Sequence, residues 1–355
     1  MSDLKAQLIR RIAATGPITV AEYMAECLLH PTLGYYSTRD PFGAAGDFTT
    51  APEISQMFGE MIGLWLAQTW LDQGRPAALT LAEPGPGRGT LMADILRATR
   101  GVPGFHDAAE VHLIEASATL RDVQRDRLSD ITPTWHDDLC TLPDDRPLYL
   151  VANEFFDALP IRQFQRAEGG WSEVQVGTDG NELQFVLAAP LPLGALEHRL
   201  ADTKPGDIVE TCAAAIAPVQ EIAARIASHG GTALFIDYGG WHSLGDTLQA
   251  LRNHQPDPPL AHPGAADLTA HVDFEALAHA ATGVATTKMT GQGAFLERLG
   301  ITARAQALAA NLQGQALDNH IAAHRRLTHP QEMGTLFKTL ALYPTDAPQP
   351  PGFDQ

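Results

Sequence analysis

Leu4, Leu8, Ile9 and Ile12 recur at three- and four-residue spacing, the period of a helix with one apolar face. A polar stretch, "GYYSTRDPFGAAGDFTTAPEIS", follows. Then "QMFGEMIGLWLAQTWLDQG" is apolar around most of a helix, with Pro52 and Glu53 at its start and Gly74 at its stop. From about residue 78 short apolar runs alternate with amphipathic stretches: "ALTLAEPGPGRG" as strand, "TLMADILRATR" as helix, "EVHLIEAS" as strand, "ATLRDVQRDRL" as helix, "PLYLVANEFFDALP" as strand. Apolar runs without strict alternation suit parallel strands covered on both faces. The fold class this predicts is α/β, a doubly wound, mostly parallel sheet.

Residues 162–205 break the rhythm, with Glu-Gly-Gly and Asp-Gly turn signals between short alternating runs, as in an antiparallel meander. Parallel patterning resumes with a helix near 211–228 and the strand "GTALFIDYGG". A long connection, "WHSLGDTLQALRNHQPDPPLAHPGAADLTAHVDF", then has the length of a functional loop. Further helices and a last strand, "LFKTLAL", lead to a proline-rich tail read as disordered. Five parts follow: 1–75 a helical cap with a covering loop, 76–161 the first half of the core, 162–205 the inserted meander, 206–343 the rest of the core, and 344–355 the tail.

Composition narrows the function. The chain has 355 residues, and 24 basic against 42 acidic residues give a formal charge of −18, which repels a phosphate backbone and excludes nucleic acid as the expected partner. The same acidity suits a basic protein or peptide, although solubility alone explains it equally well. No apolar run approaches the ~20 residues that span a bilayer, so membrane insertion is not expected. Cys27, Cys140 and Cys212 are far apart, so neither a metal site nor a redox pair is predicted. The amino terminus lacks a signal-peptide core, which points to the cytoplasm.

The first core strand ends in Gly85, Gly87 and Gly89, a turn that lets backbone approach a ligand at the positive end of the next helix. The spacing is GxGxG, with Thr90 where a dinucleotide fingerprint has its third glycine, so a nucleoside fits better than a pyrophosphate. The alternative for the glycines alone is a strand-to-helix turn with no ligand. Glu115, closing the second strand, stands where a carboxylate accepts from ribose hydroxyls, and Asp137 or Asp138 follows the third strand, within reach of an adenine amino group. Together these features suggest S-adenosylmethionine on a class I methyltransferase fold. "NEFFDALP" closes the fourth strand beside the expected methyl. There Glu154 and Asp157, with Asn153, suit an acceptor that is cationic and rich in donors, such as a guanidinium, and Phe155 and Phe156 exclude water or stack on it. The alternative is that Glu154 caps local amides and the phenylalanines are core.

These motifs, with "GYYSTRDPFGAAGDFTTAPEISQMFGE", "GDTLQALRNH", "ADLTAHVDF", "GQGAFLERLGI" and "MGTLFKTLAL", resemble the MidA-type methyltransferases over nearly the whole chain. That family includes a mitochondrial complex I assembly enzyme that modifies an arginine. The resemblance implies a class I fold, S-adenosylmethionine as cofactor and protein arginine methylation. Its client is expected to be a respiratory complex I subunit, here in a bacterial cytoplasm, with a homodimer as a permitted assembly. Carried over, Gly85, Gly87, Gly89 and Glu83 match the cofactor loop, Glu115 the ribose acid, and Glu154 and Asp157 the acceptor loop. Asp47, Thr49, Thr50 and Glu53 match the amino-terminal signature, with Thr49 on the cofactor side and Asp47 on the acceptor side; helix capping is an equal reading of Thr50 and Glu53. His271 joins the acceptor side, or holds its loop together. The alternatives are a non-catalytic, cofactor-binding assembly factor, a methyltransferase with another acceptor, and a nucleotide-dependent oxidoreductase, which the GxGxG spacing and the strand-end acids disfavour.

Overall fold

The runs that read as buried strands are buried to the last residue: all six residues of β1 (Leu79–Pro84) and all six of β4 (Leu148–Asn153) are shielded from solvent. The computed structural model describes residues 3–38 and 49–354. Asp47, an expected acceptor-side residue, lies outside them. The chain forms two units, one built from 49–156, 217–239 and 274–355, the other from the remaining segments.

In the first unit β1 and β4 join β2 (Ala109–Ile114), β3 (Thr134–His136), β5 (Gly231–Gly240), β6 (Ala285–Thr286) and β7 (Phe337–Tyr343) in the order β3-β2-β1-β4-β5-β7-β6. Neighbours from β3 through β5 are parallel. β7 runs antiparallel to both β5 and β6, so the last strand inserts between two earlier ones. Strand order reverses between β1 and β4, and in open α/β sheets ligands bind at the carboxyl ends of the strands beside such a switch point.

Helix α1 (Gln56–Asp72) packs on α2 (Thr90–Thr99) with almost no side chain between them. A Cβ on Gly59 would sit 2.4 Å from the Cβ of Asp94, and one on Gly63 would sit 2.9 Å from the Cα of Ile95. Glu60 is 5% exposed, yet its carboxylate is held by the fork of Arg304 at 2.7 and 3.1 Å and by Arg97 at 3.2 Å. A buried charge needs such pairing. These contacts fix α2, whose first turn faces the β1 glycines.

The proline-rich tail is ordered, against expectation. Trp65 Nε1 donates to the Pro351 carbonyl at 2.9 Å, Arg298 reaches Asp354 at 2.6 Å, and Phe353 packs against Phe295 with ring centroids 5.0 Å apart. Pro-rich composition signals weak self-structure, but a single buried aromatic anchors the segment.

The second unit gathers the helices Asp3–Thr15 and Val20–Leu29 around antiparallel strands. Leu4, Leu8, Ile9 and Ile12 form the buried stripe that their spacing predicts, packed with Val174, Val176 and Leu268. Arg162–Ala167, Gly170–Thr178 and Leu183–Leu187 run antiparallel, and Ile208–Thr211 adds to the other edge. The long connection carries a three-stranded sheet of Gln255–Asp257, Gln249–Arg252 and Asp267–Thr269. Among the described residues no helix is long and apolar enough to cross a membrane.

Candidate active site

Gly85, Gly87 and Gly89 follow β1 with φ of 62°, 52° and 76°. Three left-handed residues at alternate positions are what glycine supplies without steric cost. Gly89 caps α2 with no side-chain hydrogen bond, so no cap side chain occupies the helix's leading amides. Glu83, 3% exposed, receives the Met92 backbone amide, and burial pushes its carboxyl up to about 8. Its Oε2 has no hydrogen-bond partner among the described residues. A carboxyl neutral near pH 7 can donate as well as accept.

Glu115 leaves β2 with its amide on the His136 carbonyl at 3.0 Å. Its Oε1 accepts from the Ser117 amide at 2.7 Å and its Oε2 from Gln124 Nε2 at 3.2 Å, while burial raises its pKa. A carboxylate has about four lone-pair sites, so acceptor capacity remains for ribose hydroxyls. Asp137 is exposed and paired with Arg121. Asp138 caps the short turn Leu139–Thr141 by accepting from the Cys140 amide at 3.0 Å. These two acids are thus engaged by their own neighbours rather than by the glycine loop.

The chain turns sharply at the end of β4. Glu154 has φ of +51°, uncommon outside glycine, and its amide still donates to the Ile236 carbonyl at 2.9 Å. Such strain persists where surroundings over-determine it, commonly at functional sites. Its Oε1 accepts from the Ala51 amide at 2.9 Å and from Asn153 Nδ2 at 3.0 Å, and Asn153 Oδ1 is buried without a partner among the described residues. Phe155 lies over the glycine loop, where a Cβ on Gly85 would meet its ring at 3.2 Å. Phe156 is core: it is 4% exposed, its ring meets Phe235 at 4.9 Å, and its amide donates to Asp237 Oδ2 at 3.0 Å.

The segment 49–55 ties these parts together. Ala51 reaches Glu154, and Glu53 Oε1 accepts from the hydroxyl of Thr90 at the first turn of α2. Thr50 occupies a helix cap position without a side-chain cap bond, and Ser55 caps α1 by accepting from the Met57 amide at 3.2 Å. Thr49 is partly buried just ahead of them. Asp157 and His271 belong to the other unit. There Asp157 is 8% exposed and its carbonyl accepts from Ala270 at 3.0 Å, while the His271 amide donates to Thr247 Oγ1 at 2.8 Å.

Sequence reasoning missed Gln124 and Asp237. Gln124 stands one helical turn from Leu120 in a helix rich in charge, and these are the two buried residues of that helix, so the i, i+4 spacing was the available signal. Asp237 carried no signal beyond being an acid inside the apolar strand "GTALFIDYGG".

A glycine turn after β1, an acid closing β2, a strained acid closing β4 and an antiparallel last strand define a class I S-adenosylmethionine-dependent methyltransferase. The family described as "Putative S-adenosyl-L-methionine-dependent methyltransferase" matches residues 61–292, and this chain belongs to it. The mouse protein named protein arginine methyltransferase NDUFAF7, mitochondrial, is 40% identical over 97% of this chain and 85% of its own length. The human protein of that name is 38% identical over 97% and 84%. A crystal structure of a COG1565 superfamily member from Burkholderia thailandensis, bound to S-adenosyl-homocysteine, superposes with a TM-score of 0.82 at 30% identity, covering 99% of this chain and 92% of that one. The MidA-type resemblance and the class I fold are borne out. S-adenosylmethionine is the cofactor, and the positive-φ glycines, the unpartnered Glu83 Oε2 and the spare acceptor sites of Glu115 fit it.

Proposed function

We propose that the enzyme methylates an arginine of a protein substrate, with Glu154 as the acid that holds the guanidinium. When bound, S-adenosylmethionine supplies an electrophilic methyl group on sulfur. On this reading Glu83, the Gly85–Gly89 turn and Glu115 hold the cofactor, with Asp137 and Asp138 bordering its adenine and Thr49 its open side. Glu154 orients the guanidinium by charge-assisted hydrogen bonds, so that one nitrogen lies in line with the methyl. Glu154 would hold the guanidinium while the bound cofactor supplies the methyl group, and the proton that the methylated nitrogen loses would pass to a carboxylate or to water. Phe155 excludes water above the glycine loop. Asn153 is assigned to the acceptor side through its hold on Glu154.

The observation that carries this reading is the strained Glu154, whose carboxylate is fixed by Ala51 and Asn153 in a loop whose next residue covers Gly85. The names of the mouse and human relatives support arginine as the acceptor. A charge of −18 favours encounter with a basic segment. A respiratory complex I subunit is the client implied by the MidA-type resemblance, and the bacterial cytoplasm the compartment.

The test uses purified protein, S-adenosylmethionine labelled in its methyl group, and extract from a host strain lacking the gene. After acid hydrolysis the label should appear in methylarginine. Label confined to methyllysine, or to small molecules, would refute arginine as the acceptor.

A further inference from the structure

Helix α3 (Ala118–Arg127) carries one polar residue with no exposed surface, Gln124. Its amide makes three hydrogen bonds: Nε2 donates to the Gly87 carbonyl at 2.7 Å and to Glu115 Oε2 at 3.2 Å, and Oε1 accepts from Trp135 Nε1 at 2.8 Å. An indole N–H can only donate, so Trp135 fixes which end of the amide is oxygen and commits both amide hydrogens to the glycine turn and the β2 acid. Trp135 is itself covered by the Arg125 guanidinium, 4.9 Å from its ring centroid. The aliphatic part of Gln124 lies beneath the same turn, since a Cβ on Gly89 would come within 3.5 Å of its Cγ.

We infer that Gln124 is a positioning residue for the cofactor: it ties the carboxylate of Glu115 to the Gly87 carbonyl and so sets the acid at the height where it reads the ribose hydroxyls. Other groups around Glu115 do not duplicate the link. Arg121 donates to the Glu115 backbone carbonyl at 2.7 Å and pairs with Asp137, and Ser117 binds the other carboxylate oxygen. Gln124 alone among these reaches both the acid and the turn. The inference concerns the cofactor side and does not depend on arginine as acceptor.

The test is calorimetric binding of S-adenosyl-homocysteine and its 2′-deoxyribose analogue to wild type, Gln124→Leu and Trp135→Phe, with ligand-free thermal unfolding of each. A site built to bond a hydroxyl discriminates strongly against the analogue that lacks it. Gln124→Leu is expected to weaken S-adenosyl-homocysteine by roughly 10- to 100-fold and the analogue much less, shrinking the preference for ribose about tenfold. Trp135→Phe, which frees the amide to turn over, should shift the same ratio about threefold and decides the matter if the leucine variant does not fold. Equal weakening of both ligands, or an unchanged ratio with a lowered melting temperature, would make Gln124 a packing residue and overturn the inference.

Discussion

Gly87→Val is expected to weaken S-adenosyl-homocysteine binding more than about 100-fold, to the edge of detection by calorimetry. Two effects combine. Gly87 has φ of +52°, a conformation that costs an L-residue roughly 1–2 kcal/mol and is worse for a β-branched one. On the proposed placement of the cofactor the added side chain would also stand between the backbone and the ligand, next to the carbonyl that Gln124 grips at 2.7 Å. Strain is separated from occlusion by Gly180→Val. Gly180 has φ of +101° in an exposed turn, and a Cβ added there would meet nothing within 4 Å, so that variant bears the backbone cost and should bind normally. Unchanged affinity in Gly87→Val would move the cofactor away from this turn.

Glu154→Gln is expected to lower the rate of methyl transfer at least about 100-fold, close to 3 kcal/mol of transition-state stabilisation, while S-adenosyl-homocysteine affinity stays within about threefold. The amide keeps an oxygen for the Ala51 and Asn153 donors, so the loop retains its shape. The charge proposed to orient a guanidinium and relieve it of a proton would be lost. Single-turnover rates with saturating cofactor, set beside binding, separate the two effects. A parallel loss of both would transfer Glu154 to the cofactor side, and full activity would remove it from the reaction. If complex assembly survived in a host carrying this variant while methylation disappeared, client binding would be the essential role.

Much of the cofactor side is legible in the sequence because its constraints are local. Unbroken apolar runs mark β1 and β4 as strands covered on both faces, and glycines at 85, 87 and 89 take the positive φ their spacing implies. Glu115 closes β2 where the strand pattern puts it. What the sequence hides is long-range. The pattern of "LFKTLAL" marks a strand but not its antiparallel insertion between β5 and β6. Gln124 reads as one more polar residue on a charged helix until the turn, the acid and Trp135 close around it. The long connection hides a hairpin because its turn, Asn253 and His254 with φ of 52° and 58°, lacks the glycine that ordinarily announces such turns. Phe353 orders a tail whose prolines suggest none. The two phenylalanines of "NEFFDALP" divide as composition alone cannot tell: Phe155 covers the glycine loop and Phe156 joins the core.

The central claim is that an arginine of a host protein receives the methyl group. Mass spectrometry of the native host proteome, with the gene intact, deleted, and restored as wild type or Glu154→Gln, tests it most directly. The account predicts at least one methylated arginine that disappears on deletion, returns with the wild-type gene and stays absent with the variant. A proteome whose arginine methylation is unchanged by deletion would contradict it.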